Sequence, residues 1–233
     1  MSFVVGIDGP AGSGKGTVTK IIANKIGLIN IDTGITYRCV ALEVLNKKID
    51  LSDETKIVEI AKRIKIEIDN TPTGDIVYLN GENVTDKIRS KEVSAIVSPV
   101  SSIKEVRYEM VEVQRKLAEG KDVIMEGRDI CTYVFPNADV KIYLDASIEE
   151  RAERRYKEMK EKGVDITFEE VKDSIEKRDY NDMHKEVGAL MKAPDSIVVD
   201  STSKTIDEVV AEIIKIIENR RKKWEYLLKA FFG

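Results

Sequence analysis

The stretch Gly9-Pro10-Ala11-Gly12-Ser13-Gly14-Lys15-Gly16-Thr17 restricts the fold of this chain more than any other. It follows the apolar run Phe3 to Ile7 and opens the helical pattern Gly16 to Ile26, so a glycine-rich turn joins a strand to a helix N-terminus. In that context the glycines let backbone N–H groups converge on an anion. The helix end adds partial positive charge, and Lys15 can reach the β- and γ-phosphates of a nucleotide. Thr17 supplies a hydroxyl that would hold or orient Mg²⁺. Gly16 stands where the general pattern has Ser or Thr, with the hydroxyl one residue later.

Apolar runs at Leu28 to Ile31, Val123 to Met125 and Val140 to Leu144 read as further buried parallel strands, with Ser196 to Val199 as a fifth. Helical patterns lie between them at Ile103 to Ala118 and Ile148 to Lys162, and follow at Ile206 to Lys222. This alternation predicts an α/β fold: a doubly wound, parallel, five-stranded sheet with helices on both faces. Ligands of such sheets sit at the carboxyl ends of the strands, which gathers Gly9 to Thr17, Asp32 to Arg38, Glu126 to Asp129 and Asp145 around one crevice. The alternating stretches Ile64 to Ile68 and Ile76 to Leu79, before the turn Asn80-Gly81, predict a small antiparallel insert overhanging that crevice. The tail carries Trp224, Leu227, Leu228, Phe231 and Phe232 and is expected to pack on the core.

Composition removes other classes. A net charge of −4 argues against a nucleic-acid carrier, and no apolar run approaches the ~18 residues that cross a bilayer. The opening residues run straight into the first strand, leaving no room for a cleaved leader, and Cys39 and Cys131 have no paired-ligand spacing. A reducing cytoplasm is therefore expected. His184 is the single histidine, which argues against a multi-histidine metal site. Charged residues make up 34%, and pairs such as Glu150 with Arg154, Glu153 with Lys157 and Glu158 with Lys162 read as a solvated helix face.

The Gly-Lys-Gly-Thr ending of the loop is similar to that of nucleoside monophosphate kinases, which makes a phosphate the expected acceptor. Such an acceptor oxygen is already anionic and needs charge neutralisation rather than a general base, and Arg38, Arg107, Arg128, Arg151, Arg154, Arg155 and Arg178 all fall near the crevice. Asp32-Thr33-Gly34-Ile35-Thr36-Tyr37-Arg38 resembles the signature of bacterial-type cytidylate kinases. Glu126-Gly127-Arg128-Asp129 resembles that family's Asp-Gly-Arg-Asp turn. Val134-Phe135-Pro136, Ile142 to Ala146 and Arg178-Asp179 extend the likeness over nearly the whole chain.

The resemblance implies a single P-loop kinase domain over 1–233, with an acceptor-binding insertion at about 38–100 and a helical lid at about 151–165. It implies that ATP, held by Gly9 to Thr17 with Mg²⁺, phosphorylates CMP or dCMP. Asp32, Thr33, Tyr37, Arg38, Ser98, Arg107, Arg128, Asp129, Arg178, Asp182 and Lys185 would surround the acceptor. Arg38 and Arg128 would grip its phosphate, Ser98 and Arg107 would read cytosine, and Asp182 and Arg178 would face the ribose. Lid closure would bring Arg154 or Arg155 onto the transferred group, and Asp129 and Asp32 are candidate ligands or orienters of the Mg²⁺ waters. A monomer is expected.

The sequence departs from the family pattern at Lys185, where arginine is expected, and at Glu126 and Cys131. Two rival readings are a P-loop kinase for UMP or a small alcohol, and a GTPase-type switch. The set Ser98, Arg107 and Asp182 argues against the first. The second lacks its Asn-Lys-x-Asp motif, since Asn46-Lys47-Lys48-Ile49 and Asn24-Lys25-Ile26-Gly27 both fail at the fourth position.

Overall fold

The computed structural model describes residues 2–71 and 74–232, with side chains up to 222. Five parallel strands form the main sheet: β1 (Val4–Asp8), β2 (Ile29–Asp32), β6 (Val123–Gly127), β7 (Val140–Asp145) and β8 (Ile197–Asp200). Their spatial order is β2-β6-β1-β7-β8. The central strand β1 pairs with β6 from Val4 opposite Val123 to Asp8 opposite Gly127, and with β7 from Val5 opposite Val140 to Asp8 opposite Tyr143. The chain leaves β1 toward one side and later returns to fill the other, so the topological switch point lies at the end of β1, where the glycine-rich loop begins.

The sheet is wrapped on both faces because its strands alternate two apolar sets. Val5, Ile7, Ile124, Ile142 and Leu144 pack with Val18 and Ile22 of α1 (Lys15–Ile26) and with Val210 and Ile213 of α8 (Ile206–Phe232). Val4, Ile31, Val123 and Met125 pack with Val111 and Ala118 of α5 (Lys104–Ala118) on the other face. The tail beyond 222, expected to pack on the core, lies outside the residues whose side chains are described.

Between β2 and α5 the chain forms α2 (Gly34–Asn46), α3 (Glu54–Arg63), the antiparallel sheet β3 (Ile66–Thr71), β4 (Gly74–Leu79) and β5 (Glu82–Asn83), and α4 (Lys91–Val100). Asn80 and Gly81 both take positive φ, at 53° and 85°, as a two-residue hairpin turn requires. This part has its own core, in which Ile35, Ile57, Val77, Ile88 and Val93 meet Val106 and Met110 of α5. After β7, α6 (Ile148–Glu161) and α7 (Phe168–Met183) pack as a hairpin through Ala152, Val171 and Ile175, and Ala11 of the loop joins that cluster. The charge pairs Glu150–Arg154, Glu153–Lys157 and Glu158–Lys162 form at 3.6, 3.2 and 2.5 Å. On a solvated helix each contributes about 0.3–0.5 kcal/mol.

Candidate active site

Two clefts meet at the loop between β1 and α1. One, of about 640 Å³, lies between the carboxyl ends of β2 and β6 and the helices α2, α4 and α7; the other, of about 600 Å³, is bounded by α6, α7 and the start of α8. Gly12, Ser13, Gly14, Thr17, Arg38 and Arg178 line both. A cationic loop shared by two cavities suits the passage of an anionic group from a ligand in one to a ligand in the other.

The loop is shaped by close approaches. A Cβ on Gly9 would overlap the carbonyl oxygen of Leu144, so the chain can leave β1 flush against β7 only as glycine. α3, α4, α6 and α7 are capped by the side chains of Asp53, Ser90, Ser147 and Thr167, whereas α1 starts at Gly14 with no side-chain cap. Its first N–H groups and the positive end of its dipole remain for an anion. Lys15 is 5% exposed and folds across the loop, its Nζ donating to the carbonyls of Gly9 at 2.7 Å and Pro10 at 2.8 Å and to Ser13 Oγ at 3.2 Å. Burial, and next the Arg128 guanidinium, lower the lysine well below the usual ammonium range. Phosphate oxygens arriving in the loop would reverse that by supplying the missing negative charge.

Two buried carboxyls stand behind the lysine. Asp8, at the end of β1, accepts the N–H groups of Ile130 at 2.8 Å and Cys131 at 2.7 Å and so fixes the tight turn after β6; burial pushes it up to about 6 against those hydrogen bonds. Glu126, at the end of β6, is pushed up to about 8 by burial and by Asp32. Its Oε1 lies 3.1 Å from where a Cβ on Gly16 would stand. This accounts for the glycine that departs from the general loop pattern: a serine there would crowd Glu126. Asp129 Oδ2 is engaged by Arg107 Nη2 at 2.5 Å, and the carboxyl that lies directly against Gly16 of the loop belongs to Glu126.

The larger cleft gathers the residues anticipated around the acceptor. Asp32, Thr33, Tyr37, Arg38, Ser98, Arg107, Arg128, Asp129, Arg178, Asp182 and Lys185 all line it. Arg38 reaches from α2 to Ile88 O at 3.0 Å and Ser94 Oγ at 3.1 Å, which ties it to the inserted part. Arg107 lies 5.2 Å over the Tyr37 ring and donates to Ser101 O at 3.2 Å, while its Nε is buried without a protein partner. Asp182 is held between Arg128 Nε at 2.8 Å and Lys185 Nζ at 2.9 Å. Burial works to raise its carboxyl, but Arg128 and Lys185 outweigh this and bring it down to about 2.

On the other side, Arg154 donates to Ser201 O at 2.8 Å and overhangs the loop, its Nη1 lying 3.9 Å from the Cβ position of Gly14. Arg155 lines the same cleft but pairs with Glu158 at 2.7 Å. Gly9 and Pro10 line neither cavity; they shape the loop from beneath and accept from Lys15.

Several site residues escaped the sequence reading. Ser201, Lys204, Ile206 and Val209 line the second cleft, but they sit in an ordinary connection from β8 and in the first turn of α8, with no local signal. Ser101 bridges Arg107 and Lys185, and only its nearness to Ser98 could have pointed to it. Gly188 takes φ +64°, and a Cβ there would overlap both Asp129 Oδ2 and Arg107 Nη2. Gly188→Ala is therefore expected to break that pair, lowering kcat/KM for the acceptor about tenfold or more while leaving ADP affinity within about twofold, as steady-state kinetics and ADP titration would show.

Among the described residues no group of three or more His, Cys, Asp or Glu could cage a metal. The exposed Thr17 hydroxyl and the Asp32 carboxylate border the same cleft and offer hard oxygens. That donor set fits Mg²⁺, which is usually held by a few protein oxygens together with nucleotide phosphates and water.

A phosphate loop at the switch point of a parallel sheet, with an arginine-rich cavity on one side and a second cavity on the other, defines a phosphotransferase acting between nucleotides. The chain belongs to the cytidylate kinase family, whose family model matches residues 5–219. The cytidylate kinase of Caldicellulosiruptor bescii is 49% identical over 212 residues, which cover 91% of this chain and 94% of that one. That of Bacillus subtilis is 45% identical over 218 residues, covering 94% and 97%. At the level of fold alone, the crystal structure of an uncharacterized protein from Eubacterium ventriosum superposes with a TM-score of 0.51 at 13% identity, covering 93% of this chain and 99% of that one. This chain is thus an ATP-dependent nucleoside monophosphate kinase.

Proposed function

We propose that the protein transfers the γ-phosphoryl group of ATP to the phosphate of CMP or dCMP, giving ADP and CDP or dCDP. What carries this reading is the loop shared by the two clefts, with Arg38 and Arg178 spanning both. The donor lies along the loop and the smaller cleft, and the acceptor lies in the larger.

The acceptor phosphate brings its own anionic oxygen, so the protein aligns and neutralises rather than removing a proton. Lys15 exchanges the Gly9 and Pro10 carbonyls for phosphate oxygens of the donor. Arg38 and Arg128 hold the acceptor phosphate through guanidinium forks, and Arg154, above Gly14, and Arg155 stabilise charge on the group in transfer. Thr17, with Asp32 beside it, would hold Mg²⁺, which would supply positive charge to the donor phosphates. Ser98 and Arg107, with its free Nε, read the cytosine edge; Asp182 and Arg178 face the ribose. Asp129 fixes the Arg107 guanidinium. The insertion at about 38–100 and the lid at about 151–165 close on the two substrates and exclude water, which would otherwise accept the phosphoryl group. The buried, free Cys39 and Cys131 suit a cytoplasmic enzyme, and the reading is of a monomer.

The test is ADP production with CMP, dCMP, UMP, AMP, GMP and shikimate offered separately. CMP and dCMP are expected to exceed the others by at least about tenfold in kcat/KM, because a wrong base leaves buried hydrogen-bonding groups unpaired. Equal use of UMP would remove the base-reading assignment, and turnover with shikimate alone would remove the phosphate acceptor.

A further inference from the structure

A buried ion pair lies beneath the phosphate loop and belongs to neither cleft. Arg151 of α6 is 7% exposed and Asp179 of α7 is 6% exposed, and they meet through Nη1 and Oδ2 at 2.5 Å. Asp179 Oδ1 accepts the Ala11 N–H at 2.9 Å, while Arg151 Nη1 donates to the Ala11 carbonyl at 2.8 Å. Both main-chain groups of one loop residue therefore end on one ion pair, contributed by two helices more than a hundred residues further along the chain.

A trans peptide points its C=O and N–H in opposite directions, and no peptide among the described residues is cis. Holding the Ala11 N–H on Asp179 turns the Pro10 carbonyl the other way, where it accepts from Lys15 Nζ at 2.8 Å. Holding the Ala11 carbonyl on Arg151 turns the Gly12 N–H away from the pair, and Gly12 is exposed and lines both clefts. We propose that the Arg151–Asp179 pair is a positioning device for the phosphate loop: it fixes two successive peptide planes, presetting the resting acceptor of Lys15 and aiming the Gly12 N–H at the incoming phosphates. This deepens the reading that the loop holds the donor nucleotide and rests on that reading.

The pair also registers both helices against the loop. Arg154 follows Arg151 by one turn and overhangs Gly14; Asp182 follows Asp179 by one turn and sits in the acceptor cleft. Arg151 and Asp179 touch neither cavity, so they are positioning residues whose loss acts through the loop.

The test compares Asp179→Ala, Asp179→Asn and the double variant Arg151→Met/Asp179→Leu with the wild type, by calorimetric titration with ADP and Mg²⁺, steady-state kinetics and thermal midpoint. Asp179→Ala removes the acceptor for the Ala11 N–H and is expected to weaken ADP binding about tenfold or more, with KM for CMP within about twofold. Asp179→Asn loses the same charge but keeps an oxygen for that N–H, so its ADP affinity is expected to fall several-fold less than in Asp179→Ala. The double variant replaces a buried pair with apolar groups of similar volume and is expected to melt above Asp179→Ala, yet ADP affinity and kcat stay low because Ala11 has lost both partners. A double variant with wild-type ADP affinity and kcat would show the pair to be structural only and overturn the proposal. So would equal ADP losses in Asp179→Asn and Asp179→Ala, and that comparison decides the matter should the double variant not fold. If the wild type binds ADP but leaves CMP untouched, the acceptor reading fails while the ranking of ADP affinities still tests the pair.

Discussion

Lys15→Met is expected to lower kcat by about 10³-fold while shifting the thermal midpoint by no more than about 5 °C. The two halves of this result come from the same geometry. Lys15 is 5% exposed and its Nζ meets only two carbonyls and one hydroxyl, all neutral groups, so burial disfavours its charged form and no direct ionic partner compensates. Removing that charge relieves a desolvation cost and leaves the Gly9 and Pro10 carbonyls unpaired, two opposing effects of similar size. During transfer, however, the ammonium is the one lysine charge the loop supplies to the phosphates, and nothing in the variant replaces it. Steady-state kinetics with a thermal melt checks both halves; a variant that melts far below the wild type would show that the lysine also holds the empty loop together.

Arg128→Met carries the second large effect, and here stability and activity fall together. Loss of the guanidinium fork is expected to lower kcat/KM for CMP by about 10³-fold while ADP affinity stays within about threefold, because Arg128 lies on the acceptor side of the loop. The same change leaves Asp182, 4% exposed, with Lys185 as its remaining ionic partner. A stability loss of about 2 kcal/mol at neutral pH follows. Its pH dependence has a definite sign. The Asp182 carboxyl sits at about 2 in the folded protein, below its ordinary 3.8, so the stability it contributes is complete above pH 3.8 and disappears as the pH falls toward 2. The gap in thermal midpoint between wild type and Arg128→Met should therefore be widest above pH 5 and narrow at pH 2.5. A gap that stays constant across this range would mean that Asp182 does not owe its low pKa to Arg128.

The strands of the main sheet were legible to within two residues because each is a short apolar run closed by a turn or an acid, and burial on both faces leaves few other residue types for such a strand. The loop was legible because its glycines, lysine and threonine each answer a steric or electrostatic demand at a fixed spacing. α7 was harder to see. Its inward face runs Val171, Ile175, Asp179, Asp182, so the apolar period stops where the helix begins to serve the loop and the cleft. Functional acids on a buried face look like solvent residues in a periodicity argument. The partner of Asp129 was hidden for a related reason: the place of Asp129 just after β6 is visible in the chain, but Arg107, which pairs with it, lies on α5.

The sequence by itself determined the class of fold, the phosphate loop and the pool of arginines and acids that could meet an acceptor, since these follow from residue type and spacing over short stretches. Tertiary structure decided the strand order β2-β6-β1-β7-β8, the division of the crevice into two clefts sharing one loop, and the pairing of each buried charge. The physical reason is distance along the chain. Arg151 with Asp179, Arg107 with Asp129 and Arg128 with Asp182 are set by which helices the packed core brings together. No local pattern encodes which of the many available charges will end within hydrogen-bonding reach once water has been excluded.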